Sequence, residues 1–270
     1  MDRLFSGQLK LENQEITTLA KGMADFARRV NAAGASASLI ESEISERVAL
    51  MCASNVFAGI AASECAQIAM SARARVFSRH EVVFVEGQPI RQVLLIKSGY
   101  VKLTQLGQDG SEVILRLSGA GDIVGVLALS AESHHTCSAH VVETCTGLLW
   151  DVLKFETFLE RLPDMRKNVA RILADRLNEL EQRFREVATE KVCARVAHEL
   201  TRLLKQVGKP LSVGIEVGLS REELAQMTGT TLFTISRLMS AWEQLGFVLP
   251  RREAVVVRDP QRLLDVGDDE

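Results

Sequence analysis

Two stretches of the sequence carry side chains whose types and spacing suit binding chemistry. The first is LSREELAQMTGTTLFTISRLMSAWEQL, residues 219–245. It places Thr230, Thr231, Thr234 and Ser236 where a helix would begin, with Arg237 one turn further in. Hydroxyls at a helix N-terminus bond phosphate oxygens, helped by free backbone N–H groups and the helix dipole. An Arg at that depth can take guanine O6 and N7 as a bidentate pair. Leu232 and Phe233, between the hydroxyls, offer apolar contact to a thymine methyl. Ser220 and Arg221 open the preceding segment, and Arg251 and Arg252 in Pro-Arg-Arg-Glu can touch phosphate. The second stretch is His134-His135-Thr136-Cys137-Ser138-Ala139-His140. Imidazole and thiolate are haem and metal ligands, so His134, His135 and His140 are candidates for haem. Neighbouring histidines are also commonly hydrogen-bonded polar residues, and both alternatives stay open at this point. A thiol switch at Cys137 or Cys145 is a further alternative, set against the inertness of cysteines buried in strands. His80 and His198 read as structural. The chain has no G-x-S-x-G, P-loop, H-E-x-x-H or dinucleotide fingerprint, and Glu222-Glu223 suits a helix start, so an enzyme is not expected.

The elements that must position these residues follow from periodicity. Ser220 with Glu223 three residues on is a capping box that opens a helix at Arg221. Gly229 ends that helix, and Thr231 caps a second one whose buried stripe is Ile235, Leu238, Met239 and Trp242. Two short helices across a glycine turn make a helix-turn-helix, and the apolar runs around Arg251-Arg252 add a two-stranded wing. A helical hairpin for protein contact is the plainer alternative. Upstream, Leu173, Leu177, Leu180, Phe184 and Val187 step by four and three, a coiled-coil-like seam on a long polar helix. That pattern predicts a self-pairing dimer helix; packing along the rest of the chain is the alternative. From Val76 to about Leu153, short apolar runs are separated by glycines 87, 99, 107, 110, 119, 121 and 125, the pattern of short strands in an antiparallel roll. Residues 39–72 are helical in pattern with breaks near Ser54-Asn55 and Gly59, and residues 11–31 form a further amphipathic helix before a small-residue linker.

Charge and composition narrow the partners. The net charge is −3, so any nucleic-acid affinity has to be local. Residues 189–264 hold eleven Lys/Arg against eight Asp/Glu, whereas the last six residues add four acids. Five scattered cysteines without a C-x-x-C pair suggest reduced thiols. There is no signal-peptide pattern and no apolar run near the ~20 residues that span a bilayer. A cytoplasmic protein without membrane partners is expected.

These residues resemble the Crp/Fnr family of bacterial regulators over roughly 46–264. The marks are Gly87, Gly99, Gly110, Gly121 and Gly125, the stretch GAGDIVGVLAL (119–129), the long helix, and TTLFTISRLMSAWEQLGFV. The resemblance implies an α+β chain: an N-terminal helical extension (1–45), a cyclic-nucleotide-binding-like antiparallel β-roll of jelly-roll type (46–160), a long dimerisation helix (161–188), a C-terminal winged helix-turn-helix (189–264) and an acidic tail (265–270). It implies a homodimer on near-palindromic double-stranded DNA, with RNA polymerase as a further partner. An effector pocket would comprise Gly125, Val126, Leu127, His134, His135, Thr136 and Cys137. Cyclic-nucleotide binders of the family carry a Glu for the ribose and an Arg for the cyclic phosphate. Here Val126 stands at the Glu position, and His135, Thr136 and Cys137 stand where the Arg-Ser pair would fall. A buried phosphate without an Arg is costly, so cyclic AMP is not the expected effector. No N-terminal cysteine cluster is present for an iron–sulfur centre. Phe233 replaces an acidic reader found in many relatives, which alters the base code, whereas Arg237 matches the family's guanine reader. A haem- or thiol-based sensor of the same fold, and a ligand-binding module without DNA binding, are the alternatives.

Overall fold

A computed structural model describes residues 37–125 and 133–269. The helix expected at 11–31, and Val126 and Leu127 of the effector pocket, lie outside the described residues. Helix α1 (Ala37–Cys52), a 3-10 turn (Asn55–Phe57) and α2 (Ala62–Ser71) follow one another with breaks at the Ser54-Asn55 and Gly59 positions. Their buried residues, including Val48, Met51, Phe57 and Ile68, pack on Trp150 of the roll. The Trp150 indole N–H donates to the Ile68 carbonyl at 2.9 Å, so the large buried ring leaves no polar atom unpaired.

The roll is one antiparallel sheet of six strands: β1 (Arg73–Phe77), β2 (Val82–Phe84), β3 (Gln92–Leu106), β4 (Glu112–Ser118), β5 (Ile123–Val124) and β6 (Ser138–Asp151). The path runs β1-β6-β3-β4, with β2 on β6 and β5 on β3. The run Val93-Leu94-Leu95-Ile96 is continuously apolar because both faces of β3 are covered. Val93 and Leu95 face the helices with Trp150, whereas Leu94 and Ile96 face the roll interior with Phe77, Val141 and Leu149.

Two strands are longer than the short runs predicted, at 15 residues for β3 and 14 for β6. Gly99, expected to mark a turn, instead sits inside β3 at φ +72°, where the pairing with β6 shifts register. A β-carbon there would lie 2.3 Å from the Thr144 carbonyl oxygen, so glycine is required by a bulge and by close strand approach.

Helix α3 (Val152–Arg161) begins at Asp151, whose carboxylate caps the Leu153 N–H at 3.0 Å. Helix α4 (Pro163–Thr189) starts with proline at its first turn and runs ~40 Å. Its first half is anchored: Met165 and Val169 are buried, and the Asn168 amide donates to the carbonyls of Val56 and Ala58. Its second half leaves Leu177, Leu180, Phe184 and Val187 more than half exposed. Leu173 departs from the expected seam, because it packs half-buried against the cluster formed by the roll and its flanking helices.

The C-terminal part comprises α5 (Val192–Gln206), β7 (Lys209–Leu211), β8 (Gly214–Val217), α6 (Arg221–Thr228), α7 (Leu232–Gln244), β9 (Val248–Arg251), β10 (Ala254–Val257) and α8 (Pro260–Asp269). Its sheet order is β7-β8-β10-β9, so the expected wing is the edge of a four-stranded sheet. The residues expected to form an acidic tail continue α8 as far as Asp269. Leu200, Leu224, Ile235, Met239, Trp242 and Val255 form its core, and Tyr100, Ile114 and Leu117 of the roll join the same cluster. The domain is therefore docked on β3 and β4 through shared apolar burial. Ion pairs ring this contact: Lys209–Glu143 (2.6 Å), Arg79–Glu253 (2.7 Å) and Lys102–Glu223 (3.5 Å).

Candidate nucleic-acid interface and roll pocket

The helix-turn-helix is held by local bonds. The Ser220 hydroxyl accepts the Glu223 N–H at 3.1 Å, and the Glu223 carboxylate accepts the Ser220 N–H at 2.9 Å, a complete capping box. Gly229 ends α6 in the left-handed region at φ +60°, and its N–H returns to the Ala225 carbonyl. Thr231 then caps α7, its hydroxyl accepting the Thr234 N–H at 3.2 Å. Ile235, Leu238, Met239 and Trp242 are buried as predicted, which turns the opposite face of α7 outward. Leu232 and Phe233 are 50 % and 76 % exposed, and Arg237 is exposed beside them. Thr230, Thr234 and Ser236 are half-buried at the same end.

Among the described residues no atom beyond the adjacent residues comes within 4 Å of the position a Gly229 β-carbon would take, so Gly229→Ala strains only the backbone. The expected loss is about 1 kcal/mol, or ~3 °C in Tm, read by thermal unfolding. Gly229→Asn should lose less, because asparagine tolerates that conformation better.

On the wing, β9 and β10 meet across Arg252 and Glu253, with Glu253 at φ +56°. The two wing arginines differ. Arg251 is already paired with Glu216 at 2.8 Å, whereas Arg221, Arg237 and Arg252 are exposed and make no ion pair among the described residues. Arg251 is thus the weakest of the expected phosphate contacts, since its charge is offset by a carboxylate across the sheet.

The histidines do not converge. His134 and His135 border a pocket in the roll together with Gly125, Thr136 and Cys137. His140, in β6 opposite Lys102, lines the cleft between the roll and the C-terminal domain instead. The expected three-histidine haem set is therefore split between two sites. Within the roll, His135 stacks on Phe84 at 3.8 Å and is buried, which lowers its basicity. Phe84 and His135 also border a neighbouring cavity of about 490 Å³. Cys137 and Cys145 are buried, and burial raises both thiols, Cys145 to about 11, which disfavours the reactive thiolate. Cys65 is held well above the usual range by its hydrogen bond to Cys52 and by burial.

Residues 74–162 match the cyclic nucleotide-binding domain, and residues 194–266 match the Crp-like helix-turn-helix domain, in that order along the chain. The chain belongs to the Crp/Fnr family of transcription regulators. It is 25 % identical to the CRP-like cAMP-activated global transcriptional regulator of Mycobacterium tuberculosis over 79 % of this chain and 96 % of the relative. It is 29 % identical to the cyclic AMP receptor protein of Thermus thermophilus over 79 % of this chain and 97 % of that protein. The fold is shared with FixK2 from Bradyrhizobium japonicum, at a TM-score of 0.65 and 20 % identity over 74 % of this chain and 98 % of that one. The curated homologues are transcription regulators of the Crp family and not enzymes. Among the described residues no helix is long and apolar enough to cross a membrane.

Several residues of this regulator that hold its parts together were not legible in the sequence. Arg183, a polar residue between the seam positions of the long helix, donates to the Leu115 carbonyl of the roll and, at 3.0 Å, to the Met227 carbonyl of α6. Arg202 on α5 binds both carboxylate oxygens of Glu186 on α4 at 2.8 Å and reaches Glu199 at 2.7 Å. His198, read as structural, lies 3.0 Å from the Glu190 carboxylate. Only the three-residue spacing of Glu199 and Arg202 gave any hint of this cluster. Arg116 and Arg176 are likewise non-local: they come from β4 and α4 to border the same pocket as His134, His135 and Cys137.

Proposed function

We propose that this regulator acts as a cytoplasmic homodimer that reads a near-palindromic DNA site with α7 and is controlled by a signal at the β-roll other than cyclic AMP. The observation that carries this is the outward face of α7, where Arg237, Leu232 and Phe233 stand exposed behind a capped helix start. A helix so presented fits the major groove, with Arg237 on guanine, Leu232 or Phe233 on a thymine methyl, and hydroxyls of Thr230, Thr231, Thr234 and Ser236 toward phosphate. Ser220, Arg221 and Arg252 lie on the same side as further phosphate contacts, around a cleft shared with Leu232. RNA polymerase contact follows from the same role.

The dimer rests on α4. Leu177, Leu180, Phe184 and Val187 form an uncovered apolar stripe at heptad spacing, and a second copy of the helix would bury it. Phe184→Glu is therefore expected to give a monomer by size exclusion with light scattering. Its DNA affinity should fall ~100-fold or more, because two linked half-site contacts become one. A variant that stays dimeric would remove α4 from the interface. Selection from random double-stranded DNA, followed by fluorescence anisotropy, tests the whole reading: recovery of a two-fold symmetric site supports it, and salt-insensitive or absent binding overturns it.

Against cyclic AMP stands the pocket's loop. His134, His135, Thr136 and Cys137 border the pocket without the Arg that cyclic-nucleotide binders carry in this loop, and Val126 replaces the family's Glu; the guanidiniums that do border it, Arg116 and Arg176, come from β4 and α4. Two relatives are named for cyclic AMP and others as global nitrogen regulators, so chains similar to this one differ by name in what they answer to.

A further inference from the structure

The roll pocket holds an unusual concentration of positive charge. Among the described residues it is bordered by Arg116 from β4 and Arg176 from α4, and by no carboxylate. The Arg116 Nη2 is buried and has no hydrogen-bond partner among the described residues. Arg176 donates from Nη2 to the Ile123 carbonyl of β5 at 3.0 Å, and among the described residues neither guanidinium forms an ion pair. A buried charge normally carries a partner, because leaving it unpaired is costly. Arg116 and Arg176 are half-buried and repel each other; burial first, and then the presence of Arg116, holds Arg176 down to about 10, while Asp122 and Glu179 pull the other way without coming within ion-pair distance. Burial acts on Arg116 in the same direction. Burial lowers the basicity of His135, which disfavours a third positive charge beside them. The free volume between the groups is about 40 Å³, room for roughly three waters.

We infer that the pocket between Arg116 and Arg176 binds a compact oxyanion, the carboxylate or phosphate group of a small non-nucleotide molecule, as the signal received by the roll. Guanidinium groups match both oxyanions as two-pronged donors. The inference rests on the proposal that the roll receives the signal, and it gives that signal a chemical class. The two arginines also give it a route. Arg176 lies on α4 one residue from Leu177 of the exposed stripe, so an anion shared with Arg116 ties the long helix to β4. The loop that serves the phosphate in cyclic-nucleotide relatives is not needed for this.

The test uses the full chain and thermal unfolding in inorganic phosphate, in succinate, in cyclic AMP, and in sodium chloride of matched ionic strength. At a hundredfold excess over its dissociation constant, the favoured anion should raise Tm by ~5 °C, with chloride giving no comparable shift. Phosphate against succinate distinguishes the two sources. Arg116→Met should remove that shift and, without any anion, should melt above the wild type because a half-buried guanidinium with an unsatisfied N–H group is gone. Arg176→Met should also remove the shift. A destabilised Arg116→Met, or an anion shift that survives in both variants or never exceeds that of chloride, overturns the site. If that happens while anisotropy still shows DNA binding lost in Arg237→Ala, only the anion site falls and the DNA-reading proposal stands. A shift seen with cyclic AMP alone overturns both the ligand class and the exclusion of that nucleotide.

Discussion

Arg237→Ala is expected to weaken binding to the selected DNA site by ~10²–10⁴-fold while leaving the protein folded and dimeric. The side chain is exposed on the outer face of α7 and forms no ion pair among the described residues, so its removal disturbs no core contact. A bidentate Arg–guanine pair is worth about 1–3 kcal/mol, and a symmetric dimer makes it twice. Fluorescence anisotropy against the selected site and against single-base variants measures both affinity and discrimination. In Arg237→Ala, preference at the contacted guanine should relax, and the salt dependence should stay close to that of the wild type because base contacts do not set it. Arg252→Ala should behave in the opposite way, losing affinity evenly over all sequences with a shallower salt slope. If Arg237→Ala binds every variant as the wild type does, α7 is not the reading helix.

Arg202→Ala is expected to cost ~3–5 kcal/mol of stability. The reason lies in what remains. Glu186 and Glu199 are only 2 % and 3 % exposed, and the Arg202 guanidinium holds the first by both oxygens and the second by a hydrogen bond at 2.7 Å. Arg183 approaches Glu199 at 3.4 Å but does not replace the lost pair to Glu186. Arg202→Lys should recover only part of the loss, since one ammonium cannot grip Glu186 with two donors and reach Glu199 as well.

The pH dependence has a definite sign. Burial by itself would raise the Glu186 carboxyl, but the hydrogen bonds and charge of Arg202 outweigh it and hold the group below the usual carboxylate range. A group depressed on folding adds stability that is fully present above its unfolded pKa, about 4.3, and is lost as pH falls through its lower folded value. The gap between wild type and Arg202→Ala should therefore be widest near neutral pH and narrow in acid. Urea unfolding at a series of pH values measures it; a gap that is constant with pH would mean Glu186 is not the group left unpaired. The same bonds join α4 to α5 across the break at Glu190-Lys191, so the variant should also loosen the pose of the DNA-binding domain against the long helix.

What the sequence determined by itself were the features whose physics is local. The capping box of Ser220 and Glu223, the left-handed stop at Gly229, the Thr231 cap and the four-residue stripe of α7 all rest on bonds and spacings within a few residues. They were found where the pattern placed them. The family followed from the order of these motifs, and so did the roll, because period-two apolar runs and glycines are short-range signals. Local patterning also has a limit: Gly99 read as a turn although it is a bulge, since turn and bulge ask the same backbone freedom of glycine. Only tertiary structure decided the contacts between distant segments. Arg116 and Arg176 are sixty residues apart and meet because β4 and the long helix border one pocket. His140 is five residues from His135 yet faces another cleft, because entry into β6 carries it away from the loop that holds His135. The exposure of Leu177 and Phe184, the covering of Leu173, and the docking of the helix-turn-helix on β3 and β4 depend likewise on what packs against each face. Periodicity states which face is apolar; the neighbour that covers it comes from elsewhere in the chain, or, for the end of α4, from a second copy.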